Sequence, residues 1–101
     1  DSAYFDGFEQ LAADYDIDLA IFNMGAYAPR WFMAPSHMNP AETVQAFREV
    51  NARQLMIAHW GTFQLGDEPV HFPPVDLRKV LEKQGLLSRW INLGHGQTHF
   101  F

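Results

Sequence analysis

Two short apolar runs constrain this chain more than any other feature. Residues 17–24 read IDLAIFNM and residues 54–59 read QLMIAH. Between them, a segment opens with Asn39-Pro40-Ala41-Glu42 and carries Val44, Phe47 and Val50 at helical spacing. Runs of this length and apolarity fit strands of a parallel sheet buried on both faces. Asn39 suits a helix N-cap, Pro40 the first helical turn and Glu42 the reciprocal capping position. Strand, helix, strand at this spacing is the repeating unit of an α/β fold.

The flanks extend the alternation. Phe5, Phe8, Leu11, Ala12 and Tyr15 form one apolar stripe, which predicts a helix over 5–15. A third helix is predicted over 75–84, burying Leu77, Val80 and Leu81 and stopped by Gly85. RWINL at 89–93 reads as a last strand. Segments 25–39 and 60–74 are punctuated by Gly and Pro and read as long loops. The first of them holds Tyr27, Arg30, Trp31, Phe32 and His37, and a long loop of that composition is expected to be functional. The order helix, strand, helix, strand, helix, strand describes one α/β unit over 1–101, and the strand expected before its first helix would end at Asp1. Ligands of open α/β sheets sit at the carboxyl ends of strands. Asp1, the loop after Met24 and His59 all fall at such ends.

Composition excludes several classes. The net charge is −5, and the seven Lys and Arg form no basic run, which argues against a nucleic-acid footprint. The chain has no cysteine, so disulfides and thiolate metal sites are ruled out. No apolar stretch approaches the roughly 20 residues of a membrane span, and no signal peptide opens the chain. A first residue that is Asp and not Met is expected of a processed product or a fragment. Apolar residues make up 48% of the chain and aromatic residues 15%, a heavy load for so small a surface, as if some side chains pack on something beyond it. A cytoplasmic or membrane-peripheral location is expected.

Each candidate side chain has a plain reading beside its chemical one. His59 closes an apolar run and is either a buried structural imidazole or a ligand. Asp1 is either a solvated terminal carboxylate or a ligand. His37 is either a loop residue near the helix start or part of a site. Arg30 could bind an anion or stack on the neighbouring Trp31 indole. His71, His95 and His99 read as surface histidines, and Asp67-Glu68 as a polar turn. No HExxH motif, phosphate-binding loop, GxSxG elbow or dinucleotide-binding glycine pattern occurs.

Longer strings narrow these alternatives. Asp1-Ser2-Ala3-Tyr4-Phe5, Gly25-Ala26-Tyr27-Ala28-Pro29-Arg30-Trp31-Phe32-Met33, His37-Met38-Asn39-Pro40-Ala41-Glu42 and Ala58-His59-Trp60-Gly61-Thr62-Phe63 together resemble one family. It is the N-acylphosphatidylethanolamine-hydrolysing phospholipase D family, with its bacterial relatives, within the metallo-β-lactamase superfamily. The resemblance runs over essentially the whole chain and matches the C-terminal portion of such a protein.

The resemblance implies a fold, the C-terminal half of a metallo-β-lactamase αββα sandwich. It also implies a zinc-dependent hydrolase of phosphodiesterase or phospholipase D type, with two zinc ions or another divalent metal. Asp1 corresponds to the bridging aspartate of a GDTGY-type motif and His59 to the last histidine ligand. His37 corresponds to a site-lining histidine that binds or protonates substrate, and Tyr27, Arg30 and Trp31 belong to the site wall. The remaining ligands, an HxHxDH motif and one further histidine, are upstream in the family and absent from these residues, so the chain alone is expected to be inactive. The family's glycine two residues after the aspartate is Ala3 here, and its methyl would crowd a turn that needs positive φ. The implied substrate is a phospholipid or another phosphodiester. Two alternatives stand beside this reading. One is a sugar-phosphate lactonase of the same fold. The other is a non-catalytic truncated product that persists as a homo-oligomer or by association with the missing N-terminal half, through exposed apolar area and unpaired strand edges.

Overall fold

A computed structural model of the chain describes residues 2–100. Asp1, the implied bridging ligand, lies outside the described residues. Two strands, β1 (Leu19–Asn23) and β2 (Gln54–Ala58), pair in parallel with Leu19 opposite Gln54 and Asn23 opposite Ala58. Four helices accompany them: α1 (Phe8–Asp14), α2 (Arg30–Met33), α3 (Pro40–Val50) and α4 (Phe72–Lys83). The chain is thus mixed α/β, as the alternation predicts, and consistent with part of a metallo-β-lactamase fold.

The helix between the strands begins where its cap dictates. The Asn39 side chain accepts from the Glu42 backbone N–H at 2.8 Å, and the Glu42 carboxylate accepts from the Asn39 N–H at 3.1 Å. This reciprocal pair satisfies two of the helix's orphan donors. At the other end Asn51 takes a left-handed conformation, φ 53°, which suits a helix C-terminus.

One face of the sheet is buried. Ala20 and Phe22 of β1 and Leu55 and Ile57 of β2 point to the side where Val44, Phe47, Leu77 and Leu81 complete the core. Phe8 joins them edge-on to Phe22, with ring centroids 5.7 Å apart. The expectation of strands buried on both faces is therefore corrected. Ile21, on the other face, is 57% exposed, because the core-forming helices cover only the side that Phe22 faces.

Three further expectations change. The loop over 25–39 contains a single helical turn, α2. The last helix begins at Phe72 and not at 75, because Pro73 and Pro74 occupy its first turn, where a missing N–H costs nothing. The strand predicted over 89–93 shrinks to one parallel bridge, Leu55 to Trp90, with the Ile91 N–H donating to the Leu55 carbonyl at 2.8 Å. Leu87–Arg89 is wound into a 3-10 turn, and the Arg89 guanidinium is drawn to the Ala52 and Arg53 carbonyls. These contacts hold the segment against the end of α3 and leave little extended chain to pair. Ala3 is not among the described residues with positive φ, so its methyl meets no such obstacle.

Candidate active site

The carboxyl ends of β1 and β2 are drawn together by backbone. The Met24 N–H donates to the Ala58 carbonyl at 3.0 Å, which carries the parallel pairing one residue past β1. The next residue is Gly25, and a Cβ there would collide with the His59 carbonyl oxygen. Glycine is needed at 25 for this close approach. His59 and Ala26 both hold positive φ, 73° and 61°. Such backbones in non-glycine residues persist only where surrounding structure fixes them, and they cluster at working sites.

At this rim His37 meets His59. Their rings stack with centroids 5.8 Å apart and planes 24° from parallel, although the residues are far apart in sequence. Burial, then the neighbouring His59, hold the His37 imidazole below its ordinary proton affinity. His37 is thus biased toward neutral imidazole, the form that accepts a proton.

The wall residues take more specific places. Burial pushes the Tyr27 phenol well above its usual range, and its hydroxyl donates to the Asp76 carboxylate at 2.5 Å. The Arg30 guanidinium donates to the Tyr27 carbonyl at 3.3 Å, to the His37 carbonyl at 3.1 Å and to the Glu42 carboxylate at 2.5 Å. Arg30 is therefore engaged with its own chain and does not stack on Trp31. Trp31 is 84% exposed, and its ring meets Phe32 edge-on with centroids 5.7 Å apart. Tyr27, Arg30 and His37 are brought together, while Trp31 stands at the outer edge.

Two residues read as ordinary in the sequence are drawn into the site. Glu68 is buried, and its carboxylate accepts from the backbone N–H of Tyr27 and, at 3.0 Å, of Ala28. His95 packs on Trp60, ring centroids 5.1 Å apart, and its ring fills the space a Cβ on Gly61 would need. A cavity of about 470 Å³ opens beside His59, bordered also by Met56, Phe63, Leu65, Leu93 and His95.

Among the described residues, no group of three or more His, Asp, Glu or Cys side chains could hold a metal ion. His59 offers a donor of the right kind, but catalytic zinc sites take about three protein ligands. The described residues alone do not close such a set. Among them, no helix is long and apolar enough to cross a membrane.

Residues 1–60 match the family described as the beta-lactamase superfamily domain. The chain is 44% identical over 64 residues to the N-acyl-phosphatidylethanolamine-hydrolyzing phospholipase D 1 of Caenorhabditis elegans, which covers 63% of this chain and 18% of that protein. It is 34% identical over 83 residues to the mitochondrial N-acyl-phosphatidylethanolamine-hydrolyzing phospholipase D of Saccharomyces cerevisiae, covering 82% of this chain and 18% of that protein. An uncharacterized protein of Mycobacterium tuberculosis is 38% identical over 73 residues, 68% of this chain and 19% of its own length. The chain thus spans less than a fifth of the length of these curated relatives. With more than half of its residues matched, and a parallel sheet whose strand ends gather the paired imidazoles, the chain belongs to the beta-lactamase superfamily.

Proposed function

We propose that this chain forms the C-terminal part of a divalent-metal hydrolase of phospholipase D type that cleaves a phospholipid phosphodiester. The observation that carries the reading is the His37–His59 ring pair at the sheet's rim, in a chain similar to relatives named for hydrolysing a phospholipid. His59 would be one ligand and Asp1 another, with zinc as the preferred ion. The donors still needed would come from chain outside these 101 residues. When bound, divalent ions of this kind lower the pKa of a coordinated water and stabilise charge developing on phosphorus.

The chain's own residues then have distinct tasks. His37, biased toward the neutral form, would receive a proton at the rim and return it to the leaving oxygen. Tyr27 and Arg30 hold the wall in place from behind, and Trp31 offers an exposed ring to an incoming lipid. The protein would act in the cytoplasm or at the periphery of a membrane. The test uses the complete protein that carries these residues. Metal content and release of head group from N-acylphosphatidylethanolamine are measured for wild type, His37→Gln and His59→Ala. The reading predicts bound metal and turnover in wild type, loss of turnover in both variants and loss of metal in His59→Ala alone. Turnover unaffected by both substitutions would exclude it. The isolated 101 residues should show no turnover above a His59→Ala control.

A second reading concerns association. Ile21 on the uncovered sheet face is 57% exposed, and Phe63 and Leu65 beside β2 are 73% and 51% exposed. Apolar area of this kind is seldom left to water. In isolation the chain would self-associate through this face. Sedimentation of the isolated chain against an Ile21→Lys variant tests it; a monomeric wild type would sink it.

A further inference from the structure

The sequence gives Glu68 the look of an exposed turn residue, yet it is buried between the two rim loops. A buried carboxylate there needs a structural reason, because charge is costly to remove from water. Its oxygen accepts from two successive backbone donors, the N–H groups of Tyr27 and Ala28. The adjacent Asp67 N–H donates to the Ala28 carbonyl at 2.8 Å. Gly66 completes the contact, since a Cβ on it would lie 2.8 Å from both the Ala26 Cα and the Ala28 carbonyl oxygen. The loop after β2 is therefore pressed onto the loop after β1, backbone against backbone.

The contact continues beyond the two loops. The Tyr27 peptide, gripped at its N–H by Glu68, is gripped at its carbonyl by Arg30. The same guanidinium nitrogen reaches the His37 carbonyl at 3.1 Å, and the other terminal nitrogen holds Glu42 at the start of α3. Hydrogen bonds thus run from Glu68 through the Tyr27 backbone and Arg30 to His37. Charged partners at two points make these bonds stronger than neutral ones.

We propose that Glu68 is a positioning residue, which through the Tyr27 backbone and Arg30 fixes His37 against His59. This proposal rests on the reading of His37 and His59 as site residues, but the geometry it asserts can be tested without turnover.

The experiment uses the complete protein with Glu68→Ala, Glu68→Asp and Glu68→Gln. Glutamine keeps an oxygen that can accept both N–H bonds, aspartate is one methylene too short, and alanine accepts neither. Amide exchange at Tyr27 and Ala28 and the ring contact between His37 and His59 are read by NMR. Kinetics are run in parallel. Alanine and aspartate should raise exchange at both amides at least tenfold and abolish the ring contact, while glutamine restores both. In turnover, alanine or aspartate should lower kcat by about 10- to 100-fold, the scale of a small displacement of a reacting group, with KM changed less than about threefold. Glutamine should recover most of the loss. If Glu68→Ala does not fold, the aspartate and glutamine pair carries the same comparison. Unchanged exchange and an intact His37–His59 contact in Glu68→Asp would overturn the clamp. Glutamine as defective as aspartate would also overturn it, since an acceptor oxygen at the right reach would then not suffice to hold the contact. Loss of the ring contact in a protein that shows no hydrolysis even as wild type would uphold the clamp and reject the hydrolase reading.

Discussion

The carbonyl oxygen of His59 occupies the place where a side chain on residue 25 would begin. Glycine at 25 is therefore a condition for the two strand ends to meet. Gly25→Ala should displace the turn that carries His59 and destabilise the fold by about 1–3 kcal/mol, the usual range for forcing an atom into a packed region. Gly85→Ala is the control. Its φ of 69° is unfavourable for alanine, but a Cβ there meets nothing within 4 Å. That variant should cost about 1 kcal/mol from backbone alone. Denaturant midpoints of the two variants give the comparison, and only Gly25→Ala should disturb the His37–His59 ring contact.

Asn39→Ala removes the side chain that accepts from the Glu42 N–H. The expected loss is about 1 kcal/mol. Glu42→Ala should cost more, because the same carboxylate serves both the Asn39 N–H and the Arg30 guanidinium. Thermal melts of the two single variants and the double variant would show coupling between them.

Acidification should weaken the fold through His37. Its folded-state proton affinity is lowered by burial and by His59. The unfolded chain, with an ordinary imidazole near pH 6.5, binds the proton more readily. Stability from this group is therefore fully present above about pH 6.5, and it falls as the pH drops from there through the lower folded-state value. Unfolding free energy measured at pH 7.5 and pH 5 should show this decline, and His37→Gln should reduce it.

Phe47 is fully buried where α3 meets the core, and the Arg89 guanidinium lies 4.8 Å from its ring centroid. Phe47→Ala should cost about 3–5 kcal/mol. Phe32→Ala, at a residue 64% exposed, should change stability by about 0.5 kcal/mol or less. Equilibrium unfolding of both variants tests whether the core lies on the helical side of the sheet.

What could be read from the sequence follows the range of the interactions concerned. The capping box at Asn39 and Glu42 is local, spans four residues and appears as expected. The strand runs were visible because apolar patterning is local too. Their one-sided burial was not, since nothing in IDLAIFNM says how many layers will cover it. RWINL misled because its pairing depends on where Arg89 and the 3-10 turn anchor it, which are tertiary matters. In the site, His37 and His59 could be picked out by family likeness, and the structure adds that their rings meet. Glu68 could not be found this way. Its partners are backbone N–H groups 41 and 40 residues away, and backbone donors leave no mark in a sequence.

The left-handed backbone of His59 sets up a conflict between two kinds of selection. Glycine would adopt φ 73° without the penalty that a side chain brings there, roughly 1–2 kcal/mol. Evolution in the laboratory for thermal tolerance alone should therefore drift toward glycine at this position and discard the imidazole. On the proposed reading of His59 as a metal ligand, adding a requirement for metal retention should halt that drift. The substitution spectrum at residue 59 would then report directly which demand the protein is under.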